Sequence, residues 1–183
     1  MKMLIIIGKT GSGKSTVVNE LVSNYGYEKA ITDTTRPMRP GEVDGVDYNF
    51  LNIEEFEQNE AVGVYAESVT YNASFGVCHY GSRKSSYEDD SNKKVIILNP
   101  YGLKMVKESL GAQNAVSVYL RLDDELLLKR LSIRGDAQEE VLRRLETDRH
   151  DFSDVEKVCD YVINVGENLS PQDVARIIHD IVK

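Results

Sequence analysis

The sequence is short of three things: cysteine, long apolar runs and positive charge. Its 183 residues hold two cysteines, and they carry a net charge of −8. Cys78 and Cys159 stand far apart and fit no zinc spacing, so free thiols in a reducing compartment are expected. The apolar run Leu4–Ile7 is too short for a signal-peptide core or a membrane span, which points to a cytoplasmic protein with no membrane partner. A nucleic-acid binder needs a basic face, so the acidic balance argues against that role. It leaves small anions open, because these are held by local cations. His79, His150 and His179 match no metal pattern and read as surface or packing residues.

What is present alternates. Met3–Ile7 is short, apolar and rich in isoleucine, as in a strand buried on both faces of a parallel sheet. Val95–Leu98, Val116–Leu120 and Tyr161–Val165 read as three more such strands. Helical patterns lie at 15–23, 101–110, 123–133, 138–150 and 171–182. The last has Ser170 at the N-cap and Pro171 at the first helical position. Asp123, Asp124 and Glu125 read as the acidic start of a helix. Strands alternating with helices imply βαβ units. The stretch 32–82 differs, being rich in Tyr, Thr, Val, Gly and Asn, with one short helix near 53–58 capped by Asn52. It reads as a small mixed or antiparallel lobe set into the core. Ser82–Lys94 reads as a polar loop.

Gly8-Lys9-Thr10-Gly11-Ser12-Gly13-Lys14-Ser15 follows the first strand and opens the first helix. That is the context a G-x-x-x-x-G-K-[ST] phosphate loop requires. Glycines let successive N–H groups turn inward on phosphate oxygens, and the helix N-terminus adds its dipole. The expected ATP-binding set is Gly8, Thr10, Gly11, Ser12, Gly13, Lys14, Ser15 and Thr16. Lys14 would reach the β- and γ-phosphates, and the Ser15 hydroxyl would sit on Mg²⁺.

A second constellation runs Thr34-Thr-Arg36-Pro-Met-Arg39-Pro-Gly-Glu42-Val-Asp44-Gly-Val-Asp-Tyr48-Asn-Phe50. Two arginines beside stiffening prolines suit a bidentate phosphate clamp. This stretch resembles guanylate kinase, whose T-T-R-x-x-R-x-G-E-x-x-G-x-D-Y-x-F pattern it meets at every fixed place. Tyr80-Gly81-Ser82 is similar to the family's Y-G-(S/T), and Arg130, Arg134, Arg143 and Arg144 look like its lid arginines. The resemblance implies a P-loop three-layer α/β sandwich with a parallel core sheet (1–31, 83–123 and 154–183). Into it are set a nucleoside-monophosphate lobe (32–82) and a helical lid (124–153).

It also implies ATP and a guanine monophosphate as ligands, in a monomer or homodimer. Arg36, Arg39, Tyr48 and Tyr80 would hold the acceptor phosphate, with Glu42 in the same stretch. Thr32 and Ser82 would face the guanine oxygen, and Asn164 the ATP base. Lys14, Arg36, Arg130, Arg134 and Arg144 would act on the transferring phosphoryl group.

The match fails in three places. Where the family has an acidic D-x-D-x-Q-G stretch, this chain has Ile97-Leu-Asn99-Pro-Tyr-Gly102. An insertion within 68–79 displaces the glutamate that reads guanine, and Glu67 is the nearest candidate. The lid looks one residue shorter, so Arg143 could take the role of Arg144. Two other readings therefore stay open: a kinase of a different nucleoside monophosphate, and a non-catalytic binding module. Such modules have generally lost the phosphate loop, which this chain keeps.

Overall fold

The protein is described by a computed structural model that covers residues 2–73, 76–88, 93–134 and 138–183. In chain order the strands are β1 (Met3–Ile7), β2 (Tyr27–Lys29), β3 (Asp33–Thr34), β4 (Asn49–Phe50), β5 (Tyr65–Ala73), β6 (Gly76–Arg83), β7 (Lys93–Ile97), β8 (Ala115–Arg121) and β9 (Tyr161–Asn164). The helices are α1 (Lys14–Tyr25), α2 (Ile53–Ala61), α3 (Ser85–Glu88), α4 (Pro100–Leu110), α5 (Asp124–Arg134), α6 (Gln138–Asp151), α7 (Val155–Val158) and α8 (Pro171–Ile181).

The core is a parallel sheet in the order β2-β7-β1-β8-β9. The central strand β1 shows why its sequence reads apolar throughout. Leu4 and Ile6 pack into the layer formed by α1, α5, α6 and α8, while Met3, Ile5 and Ile7 pack toward α4 and α7. Side chains alternate across a strand, so a strand covered on both faces has no polar position. Truncating a fully buried isoleucine costs about 2–5 kcal/mol, a large part of the roughly 5–15 kcal/mol that holds a domain together. The strand that feeds the phosphate loop is therefore held rigidly.

The inserted lobe is a second sheet, β4-β3-β6-β5. It is mixed, since β3 runs parallel to β4 and antiparallel to β6. Its centre is Asp33, fully buried, which accepts from Asn49 Nδ2 at 2.7 Å, Tyr65 Oη at 2.9 Å and Arg83 Nε at 2.9 Å. One carboxylate thus ties β3, β4, β5 and β6 together. α2 covers the lobe through Phe56, stacked on Tyr65 at 4.6 Å.

Most expected elements are found within a residue or three of their ends. Asn52 caps α2 in a capping box with Glu55, and Ser170 caps α8 likewise with Asp173. Three things differ. The edge strand β2 has one buried residue and no periodicity to reveal it. The stretch 82–94 is not a plain loop: Ser82 and Arg83 end β6, Ser85–Glu88 forms α3, and Lys93 opens β7. The insertion at 68–79 lies in one long hairpin, β5 paired with β6 from Tyr65↔Arg83 to Ala73↔Gly76. Cys78 and Cys159 are not joined in a disulfide. His79 stacks on Phe56 and His179 packs on Tyr25, while His150 is exposed. No described helix is long and apolar enough to cross a membrane.

Candidate active site

A single cavity of about 640 Å³ runs from the phosphate loop to the inserted lobe. At the loop end, Gly11 and Gly13 take φ angles of 83° and 91°. Side chains rarely adopt that left-handed region, and here it turns the backbone N–H groups inward. Gly13 caps α1 with no side-chain hydrogen bond, leaving the helix N-terminus open to an anion. The expected residues Gly8, Thr10, Gly11, Ser12, Gly13, Lys14, Ser15 and Thr16 all line this end. The Lys14 ammonium folds back over the loop and donates to the Gly8 carbonyl at 2.6 Å and the Lys9 carbonyl at 2.9 Å.

α5 and α6 also line the cavity. Arg130 on α5 lies over the loop, its Nη1 3.4 Å from the Ser12 carbonyl. Arg144 on α6 lines the cavity, and so does Arg143, whose Nη1 donates to the Asn72 carbonyl at 3.0 Å and so reaches the tip of the lobe hairpin. Arg134 ends α5, and its side chain lies outside the described residues. Two ties to the loop were not expected. Asp124, read as a helix-start residue, forms an ion pair with Lys9 at 2.6 Å, which holds its carboxyl below the usual range.

Asp148 on α6 accepts from the Thr10 backbone N–H at 2.7 Å. The Lys9–Asp124 pair ties α5 to the loop, and the Asp148 bond ties α6 to it. Burial pushes the Asp148 carboxyl above its ordinary range, against the pull of Thr10 and Lys14. Helical spacing could have found it: Asp148 stands one turn beyond Arg144, on the same face.

At the far end, the arginine pair divides its work. Arg36 is buried, and its guanidinium is held by Glu42 in two bonds of 2.9 and 2.8 Å. It also lies over the rings of Tyr48 and Phe50, at 5.2 and 5.5 Å. Burial alone would lower its pKa, but Glu42 outweighs it and the net shift is upward. Arg39 has no such carboxylate bond from its side chain among the hydrogen bonds and ion pairs described. Burial lowers its pKa, and the neighbouring Arg36 and Arg144 lower it further. Two cations pressed close make a local field that an anionic group would relieve. Tyr48 and Tyr80 meet edge to face at 5.9 Å beside them. Thr32, Arg36, Arg39, Tyr48 and Tyr80 all line the cavity. Glu42 does not; it stands behind Arg36.

Glu67 also lines the cavity while only 6% exposed. Burial raises its carboxyl pKa, and hydrogen bonds from the Ser82 hydroxyl and backbone N–H partly offset this. Ser82 itself is fully buried and is not part of the cavity wall. Its oxygen accepts from Tyr87 Oη at 2.8 Å. Tyr87 carried no signal in the sequence. Asn99 accepts from the Gly102 N–H at 2.6 Å and so caps α4. Gly102 leaves room for Glu67: a Cβ there would stand 2.9 Å from Glu67 Oε2, so the carboxyl would have to shift. The structure does not bring Asn164 into the cavity; its amide oxygen is held by Arg121 Nε at 2.5 Å.

Comparison with known proteins gives one consistent finding. The guanylate kinase family model matches residues 1–180. A guanylate kinase of Gloeobacter violaceus is 31% identical over 185 residues, covering 98% of this chain and 87% of that protein. One from Streptococcus pyogenes serotype M3 is 32% identical over 183 residues, covering 96% and 84%. The crystal structure of guanylate kinase from Anaplasma phagocytophilum superposes with a TM-score of 0.76 at 26% identity, over 99% of this chain and 84% of that one.

Proposed function

The chain belongs to the guanylate kinase family, and from that premise we propose that it transfers the γ-phosphoryl group of ATP to GMP or dGMP. One observation carries the reading: a single cavity joins a phosphate loop to the arginines Arg36 and Arg39 and to the buried carboxyl of Glu67. Lys14 and the loop N–H groups take the triphosphate, and Arg39, Tyr48 and Tyr80 take the acceptor phosphate. Arg36 stiffens that clamp through Glu42. Glu67 accepts from the two adjacent donors of guanine, N1–H and N2–H. Adenine offers one donor group on that edge and leaves half the carboxylate unpaired, and an unpaired buried group discriminates strongly.

The residues present fit Mg²⁺ carried in on ATP. Among the described residues no cluster of three or more His, Cys, Asp or Glu could cage a metal. Mg²⁺ does not need one, since it keeps several waters and binds through substrate phosphates plus one or two protein oxygens. The Ser15 hydroxyl, on a residue that lines the cavity, would be such an oxygen. The metal would draw charge from the transferring group. Phosphoryl transfer requires positioning and charge neutralisation above all, and Arg130, Arg143 and Arg144 would supply that from the lid while it excludes water.

The test is ADP release from Mg-ATP with GMP, dGMP, AMP, CMP, UMP and dTMP as acceptors. Turnover is expected with the guanine nucleotides alone. Turnover with a different base would overturn the base assignment, and no turnover with any would leave the binding-module reading in its place.

A further inference from the structure

Tyr71 lines the cavity and is used by neither phosphate end. Val69, Tyr71 and Ala73 alternate along β5 and line the cavity, so the Tyr71 phenol is the one hydrogen-bonding side chain among the three. Its bonding follows from Asn99. The amide oxygen of Asn99 is committed to the Gly102 N–H at 2.6 Å. The amide NH₂ must then be the group that faces Tyr71, and it donates to the phenol oxygen. An oxygen that accepts in this way keeps its own proton. Among the described residues, the bond to Asn99 is the only hydrogen bond in which the phenol takes part. Burial pushes its pKa up to about 12, so it stays a donor at neutral pH.

Its neighbours say what it faces. On one side, 5.9 Å away and edge-on, is Tyr80 of the acceptor-phosphate clamp. On the other is Asn99, whose amide oxygen meets Glu67 across Gly102; a Cβ at that glycine would lie 3.1 Å from the one and 2.9 Å from the other. In a nucleotide, the sugar lies between phosphate and base. We infer that Tyr71 is a specificity-determining residue which donates its phenol proton to the 2′-hydroxyl oxygen of the acceptor's sugar, favouring ribose over deoxyribose. This rests on the proposed function and deepens it.

The experiment compares kcat/KM for GMP and dGMP in the wild type, Tyr71→Phe and Asn99→Asp. One net hydrogen bond corresponds to roughly a five- to ten-fold preference for GMP in the wild type. Tyr71→Phe should bring the ratio close to one. Asp caps helices as well as Asn, so Asn99→Asp keeps α4 capped while offering Tyr71 an acceptor. The proton then turns inward, and the ratio should fall in that variant too, whether or not Tyr71→Phe folds. An unchanged ratio in both variants, equal losses on the two nucleotides, or a wild-type preference for dGMP would each overturn the inference while leaving the kinase reading standing. No wild-type turnover with either nucleotide would overturn the kinase reading, and this inference with it.

Discussion

The two ends of the cavity are built from different materials. The donor end is main chain: eight consecutive residues curl around the place for a triphosphate, and the helix dipole of α1 completes it. The acceptor end is side chain: Arg39, Tyr48, Glu67 and Tyr80 come from a loop and two strands, held by the buried Asp33 and the Arg36–Glu42 pair. A main-chain site binds any nucleoside triphosphate, because it touches only what all of them share. A side-chain site can tell one base and one sugar from another, but only while its scaffold holds each group in place.

If that contrast is right, damage at the two ends should read out differently. The largest effect belongs to Lys14→Ala. It removes a cation proposed to follow the transferring group, so kcat should fall on the order of a thousand-fold. The thermal midpoint should stay within a few degrees, since Lys14 packs against no core. Retained turnover would break the role assigned to the Lys14 ammonium at the donor end. Arg39→Ala comes next. The loss of a charged hydrogen-bond donor, about 1.5–3 kcal/mol, corresponds to a roughly 10- to 150-fold rise in KM for the monophosphate. KM for ATP should hardly move. Equal rises for both substrates would mean that the two ends are not separate sites.

The same contrast explains what could be read from the sequence. The phosphate loop was legible because its residues are contiguous and its spacing is its geometry. The core strands were legible because burial on both faces leaves an unbroken apolar run. The lobe was less so. Glu67 could be named only as the nearest acid, because its place depends on how β5 pairs with β6 and on the register shift between Tyr65 and Glu67. A one-residue slip would send it to the other face. Ser82 and Asn99 were weighed for their hydrogen-bonding groups. The structure commits those groups to Glu67 and Tyr87 in one case, and to Gly102 and Tyr71 in the other. Such bonds link residues far apart in the chain, and no local pattern records them. β2 escaped for a plainer reason: three residues are too few for a period.

Asp148 lies where the comparison is sharpest, since it is a side chain set into the main-chain end. Its carboxylate sits on the Thr10 N–H, a group that the loop would otherwise turn toward phosphate. A triphosphate that used this N–H would have to displace the Asp148 carboxyl. Asp148→Asn keeps an oxygen for Thr10 and removes the charge, so KM for ATP should fall a few-fold. Stability gives a second readout with a definite sign. A carboxyl whose folded pKa is raised binds its proton more readily in the native state. Its contribution is therefore most favourable below the ordinary carboxylate range and declines as pH rises through the raised value. Asn does not titrate, so the variant's gain in Tm over the wild type should open as pH rises above about 4 and close below it. An unchanged KM would mean that Asp148 obstructs ATP by its position and not by its charge, since Asn fills the same space.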